Sequence, residues 1–164
     1  SVYQRRDALL HLARHGILGD NRSAKWVGVN EYVREKTPAD ATIVAFSIYK
    51  PSGINRFAEP RGMEFDGSLR IRTGRTMAIS HHTAVFLDYP KIQLLEDRKR
   101  ILAALGRSLE EQNLAGVVNH LALLGNPDYL IAPFEKVAWL RGVPTFSYQW
   151  EASIGEFGIL RRPR

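Results

Sequence analysis

A chain of 164 residues with a net charge of +6 fits a single globular domain. It contains no cysteine, which excludes disulfide scaffolds, thiolate metal sites and cysteine nucleophiles. Hydrophobic residues make up 45% of the chain, yet no apolar run approaches the roughly 20 residues of a transmembrane helix. The chain begins with Ser1 rather than Met, so we expect it to be part of a longer protein.

Arginine dominates the basic residues, and the positive charge is spread along the whole chain. Nucleic-acid-binding tails concentrate Lys and Arg in runs, so the pattern argues against nucleic acid as a partner. A basic surface that faces anionic lipid headgroups accounts for the same charge.

The N-terminal segment "QRRDALLHLARHG" predicts a short amphipathic helix that stops at Gly16. We assign residues 1–22 to this helix and a linker, and residues 23–164 to an α/β domain. The domain begins with "AKWVGVNEYVREK", in which Trp26, Val29 and Val33 form the apolar stripe of a second helix. Thr37-Pro38 ends that helix, because a residue before proline avoids the α region.

Two continuous apolar runs, "ATIVAFS" (41–47) and "DYLIAP" (128–133), predict strands buried on both faces, as in a parallel sheet. Between them, "YPKIQLLEDRKRILAALG" predicts a helix that stops at Gly106. Ser108 then opens a capping box, "SLEE", for another helix that runs to Leu124. Towards the end of the chain, "FEKVAWLRG" predicts a short helix, and "VPTFSYQ" and "FGILRR" predict two further strands.

This order of elements predicts an α/β fold of one domain: a mostly parallel, Rossmann-like sheet with helices on both faces in three layers. In such sheets, ligands bind beyond the carboxyl ends of the strands. If the chain is a soluble enzyme that uses a nucleotide or a phosphosugar, its site therefore includes Lys50, Arg56 and Glu135.

The segment "SLRIRTGRTMAISHH" (68–82) alternates apolar and basic residues, as a strand with one polar face does. Its arginines and its glycine amide could bind an anion such as a phosphate. The simpler interpretation is a strand whose arginines lie in solvent and whose glycine forms a bend. The anion-binding candidates are Arg70, Arg72, Thr73, Gly74 and Arg75.

No pattern in the chain identifies a reaction. His81 and His82 point to opposite faces of a strand, and His11 and His15 lack the glutamate of a metalloprotease helix. The serine nucleophile elbow and the dinucleotide-binding fingerprint are absent as well. We therefore predict no catalytic residue, no metal site and no cofactor.

A series of short motifs spans residues 26–162 in order. Trp26 and "NEYVREKTPADATIVAFS" come first, followed by the strand "LRIRTGRTMAIS" with Arg75, and then by "PDYLIAP", "GVPTFSYQ" and "FGILRR". The series resembles the extramembranous domains of polytopic bacterial membrane proteins of the GT-C type, the polyprenyl-phosphate-sugar-dependent glycosyltransferases and their uncharacterised relatives. After Ser80 the chain has "HHTAVFLDYP", where those proteins often have Lys-x-x-Pro.

The resemblance implies a non-catalytic domain on the periplasmic or extracellular face of a bacterial inner membrane. Its partners would be the membrane-embedded remainder of the same chain and an anionic lipid or lipid-linked sugar phosphate. No catalytic residue can be transferred, because those transferases carry theirs in loops near the membrane-embedded part. A third hypothesis is a protein interaction module with an exposed apolar patch around Trp139 and Trp150.

Overall fold

A computed structural model of the protein describes residues 21–48, 63–65, 73–77 and 89–164. Four α-helices lie in these ranges: α1 (Asn21–Lys36), α2 (Tyr89–Glu110), α3 (Leu114–Leu123) and α4 (Phe134–Val137), with a 3₁₀ helix at Ala138–Gly142. The strands are β1 (Thr42–Ile48), β2 (Met63–Phe65), β3 (Thr76–Met77), β4 (Tyr129–Pro133), β5 (Gln149–Ile154) and β6 (Phe157–Arg161). The predicted helix near the N-terminus lies outside the described residues.

The strands form one mixed sheet in the order β2-β1-β4-β6-β5, with β3 also paired to β1. Among the described strands, the pairs β1–β4 and β1–β3 are parallel, whereas β1–β2, β4–β6 and β5–β6 are antiparallel. The prediction of a mostly parallel, Rossmann-like sheet is therefore wrong.

The tight turn between β5 and β6 explains the error. Ile154 pairs with Phe157 across Gly155 and Glu156, and Gly155 has a φ of +55°, in the region that glycine favours. A two-residue connection can join only antiparallel strands. Because β6 lies between β4 and β5 and is buried, its sequence is as continuously apolar as that of a parallel strand, and the apolar run cannot distinguish the two directions.

Helices pack on both faces of the sheet. Along β1, Ile43 and Ala45 face the side covered by α1, whereas Val44 and Phe46 face α2 and α3. Trp26, Val29 and Val33 are buried against the sheet as their spacing predicts, and the Trp26 ring stacks on Phe157 with 4.1 Å between centroids.

The boundary between α2 and α3 differs from the prediction. Helix α2 continues through Gly106 to Glu110, and Ser108 is buried within it. Asn113 caps α3 instead, because its side-chain oxygen accepts a hydrogen bond from the Gly116 amide at 3.1 Å. The predicted strand "VPTFSYQ" is also irregular: β5 begins only at Gln149.

The ends of the sheet are defined by its central parallel pair, with the amino end where β1 and β4 begin and the carboxyl end where they finish. At the amino end, Asp128 accepts hydrogen bonds from the Thr42 amide at 2.9 Å and from the Thr42 hydroxyl at 3.2 Å. Arg162 contacts Asp128 at 3.4 Å, and Arg164 contacts Asp40 at the same distance. The C-terminal arginines thus join the starts of both strands.

Candidate functional site

Arg75 points towards the C-terminus of α1. Its Nη2 atom donates to the carbonyl oxygens of Arg34 and Thr37 at 2.9 and 3.0 Å. Its Nε atom donates to the Thr37 hydroxyl at 3.1 Å, and its Nη1 atom donates to the Thr73 carbonyl at 3.3 Å. These bonds use four of the five guanidinium donors and place a positive charge at the negative end of a helix dipole. In the described structure, Arg75 therefore holds α1 in place.

Thr73 and Gly74 form the bend that carries Arg75. Gly74 has a φ of +70°, and the Arg75 amide donates to the Thr73 hydroxyl at 3.3 Å. Thr73 is helical and β3 begins only at Thr76, so the prediction of a strand that bends at Thr73-Gly74 is not confirmed. Arg70 and Arg72 lie outside the described residues, so their role as anion ligands stays a prediction.

Glu135 lies at the carboxyl end of the sheet, in the first turn of α4. It lines an open groove of about 360 Å³ together with Pro133, Phe134, Gly155 and Glu156. Beside the groove, the Phe134 amide donates a hydrogen bond to the Glu156 carbonyl at 2.7 Å. Carboxylates line this groove, whereas a phosphate requires cations. Lys50 and Arg56, the other residues predicted for this end, lie outside the described ranges.

The two tryptophans predicted to form an apolar patch are both half-buried. The Trp139 Nε1 atom donates to the Lys136 carbonyl at 2.9 Å. The Trp150 ring meets Phe134 edge-on with 5.5 Å between centroids, and the Arg141 guanidinium lies 4.8 Å from its centre. Both tryptophans pack against the core on the α2–α3 side of the sheet.

Helix α3 exposes two of the large apolar side chains that the structure describes at the surface, Val118 and Leu123. Its inner face buries Val117 and Leu121 against the core. Its exposed residues recur at the spacing of one helix face, and among them Leu123 is 59% exposed and Val118 is 46% exposed. We define the outer face of α3 as Ala115, Val118, Asn119, Ala122 and Leu123.

The sequence "LAGVVNHLAL" is apolar on most sides of the helix. Such a sequence is compatible with a helix that is buried on all sides and with one that exposes an apolar face. A helix that is apolar on all sides is usually buried on all sides. The sequence predicts one helix that begins at Ser108, and its apolar residues do not distinguish a buried face from an exposed one. Only the packing of α3 shows that the part of the chain that the structure describes leaves one of its two apolar faces exposed.

Polar contacts between α2 and α3 fix the direction in which the outer face points. The Ser108 hydroxyl lies 3.3 Å from the Nδ1 atom of His120. Gly116 lies against the same hydroxyl, and a Cβ atom at this position would come within 2.5 Å of it. Because Ser108 is buried between the helices, we interpret the Ser108–His120 contact as one that fixes α3 on α2 and not as a nucleophile with its base.

In the ranges that the structure describes, no group of three or more His, Asp or Glu side chains could hold a metal ion. His11, His15, His81 and His82 lie outside those ranges. No helix in the described part of the chain combines the length and the apolar composition that a membrane span requires. Comparison with models of protein families, with curated proteins and with solved structures found no match.

Proposed function

We propose that the chain is a non-catalytic extramembranous domain of a membrane protein, and that the outer face of α3 rests on the lipid bilayer beside the membrane-embedded part. The observation that carries the proposal is this exposed apolar face. The basic net charge and the resemblance of the ordered motifs to such domains also support it.

The small size of the face favours a bilayer over a protein partner. Helix α3 has ten residues, which makes its face about 15 Å long and about 10 Å wide, or roughly 150 Å² in projection. Each partner of a stable protein complex buries about 800 Å². A bilayer requires neither that area nor a complementary shape, because apolar side chains enter its interface individually.

The surroundings of α3 also limit a protein interface. The neighbouring surface of α2 is charged, with ion pairs between Glu96 and Lys99 at 3.2 Å and between Asp97 and Arg100 at 3.6 Å. Leu94, in the same part of α2, is 57% exposed, so this surface is charged with an apolar side chain among the ion pairs. A second copy of the chain would have to cover these charges to reach a stable interface.

The expected strength of the contact suits a tethered domain. Covering the roughly 150 Å² of this face is worth about 4 kcal/mol at ~25 cal/mol per Å². This energy alone gives weak binding. A domain joined to a membrane-embedded segment works at high effective concentration, where weak contacts are sufficient.

The enzyme hypothesis depends mainly on Lys50 and Arg56, outside the described residues. The groove beside Glu135 lends it little support, because its carboxylates repel phosphate groups.

The proposal is tested with a double variant, Val118→Ser with Leu123→Ser, in flotation assays with phosphatidylcholine vesicles that contain 30% phosphatidylglycerol. We expect the variant to bind roughly ten times more weakly than the parent chain, because its outer face no longer offers large apolar groups.

The matched control is Val27→Ser on α1, which removes a valine that is 54% exposed on the opposite face of the sheet. Its affinity should equal that of the parent. Equal binding by the double variant and the parent would contradict the proposal. So would dimerisation of the parent that the double variant abolishes, because the outer face would then belong to a second copy.

A further inference from the structure

One segment of helix α2 is exposed on most of its sides. Gln93, Leu94 and residues 96–100 are all exposed, and together they span about two helical turns. Further along α2, Leu102 and Leu105 are buried in the core. Leu94 therefore lies among charged residues at the surface, although the helix to which it belongs packs on the sheet.

The charges of this segment follow a simple order. In the charged block "LLEDRKRI" (94–101), two carboxylates, Glu96 and Asp97, are followed by three cations. Within the helix, Glu96 contacts Lys99 at 3.2 Å and Asp97 contacts Arg100 at 3.6 Å. All four side chains are at least 45% exposed, so these ion pairs are weak and can exchange partners.

The order of charges makes the charged block complementary to itself in one direction. If a second copy of α2 runs antiparallel and the pair is centred between Asp97 and Arg98, the carboxylates of each copy lie opposite cations of the other. Leu94 then lies opposite Ile101, which is partly buried against the core. In a parallel pair the carboxylates would face carboxylates, and like charges across an interface repel.

We propose that a second copy of the chain binds antiparallel along this segment of α2, with Glu96 and Asp97 of each copy opposite Lys99 and Arg98 of the other. Charge complementarity favours this partner over a bilayer. Inserting Leu94 into a bilayer would bring two carboxylates into the lipid interface, whereas a second copy supplies cations at matched positions. The inference goes beyond the proposed function, which concerns the uncharged outer face of α3, and either can fail alone.

The contact is smaller than the interface of a stable complex, so we expect a dimer only at high protein concentration and low salt. In sedimentation equilibrium at 50 mM salt, the parent chain should change from monomer to dimer between about 0.05 and 1 mM protein. At 500 mM salt, which screens exposed charges, its dissociation constant should rise roughly tenfold. A parent chain that remains monomeric over this range would overturn the proposal.

The pairing is tested by exchanging charges. Glu96→Lys with Asp97→Lys leaves only cations in the charged block, and Arg98→Glu with Lys99→Glu leaves mainly carboxylates. We expect each variant alone to dimerise at least roughly tenfold more weakly than the parent, because like charges then face each other. An equimolar mixture of the two should associate at least as tightly as the parent. Unchanged dimerisation of either variant, or no association in the mixture, would overturn the proposal.

Glu31→Lys with Glu35→Lys on α1 is the matched control, because it changes the net charge equally at two exposed side chains on the opposite face of the sheet. It should dimerise as the parent does. A loss equal to that of the first α2 variant would overturn the proposal, since net charge alone would then account for it. Val118→Ser with Leu123→Ser should also leave dimerisation unchanged. If it abolishes the dimer, the second copy lies on α3, and both this proposal and the proposed function fail.

The antiparallel direction is tested with single cysteines, since the chain has none. In the proposed pair, position 97 lies close to its equivalent in the second copy. Position 93 is displaced from its equivalent by nine residues, about 13 Å along the helix. With a short bismaleimide at concentrations that give dimer, we expect Asp97→Cys to form a cross-linked dimer and Gln93→Cys to form little. Equal cross-linking at the two positions would overturn the antiparallel arrangement.

Discussion

Helices α1 and α3 cover opposite faces of one sheet, and they differ in what they present to the outside. From Trp26 to Lys36, where the side chains of α1 are described, the exposed residues are Val27 and four charged side chains, Glu31, Arg34, Glu35 and Lys36. The outer face of α3 bears no charge. Both helices bury a comparable inner stripe, so core packing does not explain the difference. A charged outer face is well solvated by water, whereas the exposed apolar outer face of α3 indicates a contact with another molecule or with a bilayer.

The two helices are also held in different ways. The C-terminus of α1 is held by a side chain from a distant loop, because Arg75 donates to its last carbonyls. Helix α3 is held by its neighbour α2 through Ser108, His120 and the close approach of Gly116. The first attachment is electrostatic and hydrogen-bonded, and the second depends on steric fit. The two can therefore be broken separately.

The largest stability effect is expected for Arg75→Ala. The substitution removes hydrogen bonds from a charged donor to Arg34, Thr37 and Thr73 and leaves the carbonyls at the end of α1 without it, which should cost about 2–3 kcal/mol. Urea unfolding measures the change. Lys36→Ala is the matched control, because it removes a nearby exposed cation and should cost less than about 0.5 kcal/mol. Equal effects would mean that Arg75 does not anchor α1.

A smaller effect, with an unusual sign, is expected for Gly116→Ala in α3. Replacing a helical glycine by alanine normally stabilises a helix by about 1 kcal/mol. Here the new Cβ atom would lie 2.5 Å from the Ser108 hydroxyl and 2.8 Å from Asn113 Nδ2, so we expect a net loss of about 1–2 kcal/mol.

Gly28→Ala in α1 provides the comparison for this substitution. Its Cβ atom would meet only the Cγ2 methyl group of Ile154, at 2.8 Å, and this half-buried side chain can rotate to relieve the contact. Thermal unfolding should therefore show Gly28→Ala to be near neutral. If Gly116→Ala stabilises the chain, the steric account of the α2–α3 contact is wrong.

The smallest effect concerns the amino end of the sheet and depends on pH. Burial alone raises the pKa of Asp128, but the hydrogen bonds from Thr42 and the Arg162 guanidinium outweigh it and hold the pKa below its ordinary value of 3.8. Because the pKa is lower in the folded state, the resulting stabilisation is present above about pH 4 and is lost as the pH falls through the folded-state pKa.

Asp128→Asn should therefore lower the free energy of unfolding by about 1 kcal/mol at pH 7, and the difference should shrink below pH 4. Unfolding in urea at pH 3 and at pH 7 tests both points. The same substitution at exposed Asp97 is the control and should have little effect at either pH. A difference that stays constant over this range would show that the charge of Asp128 does not contribute.

The sequence predicts a helix or a strand well where the spacing of its apolar residues is typical of only one of the two. The stripe of Trp26, Val29 and Val33 identified α1, and the apolar runs identified β1 and β4. Strand direction could not be derived from such runs, because a buried antiparallel strand such as β6 has the same composition as a parallel one. The short connection at Gly155-Glu156 was the feature of the sequence that indicated antiparallel strands.

The candidate site was harder to predict than the fold. Arg75 looks the same in the sequence whether it binds an anion or a helix terminus, and its partners at Arg34 and Thr37 lie about 40 positions away in the chain. The outer face of α3 could not be predicted from the sequence for another reason. Apolar residues identify a helix that must be covered, but they do not say whether the chain itself covers it.

The contact between the outer face of α3 and a bilayer is tested most directly by comparing two valines. Val118→Cys on α3 and Val27→Cys on α1 place one environment-sensitive dye on each side of the sheet, at residues of similar exposure. With vesicles of phosphatidylcholine and 30% phosphatidylglycerol, the fluorescence of the dye at position 118 should shift to the blue, and the dye at position 27 should not respond. No shift at position 118, or equal shifts at both positions, would contradict the bilayer contact.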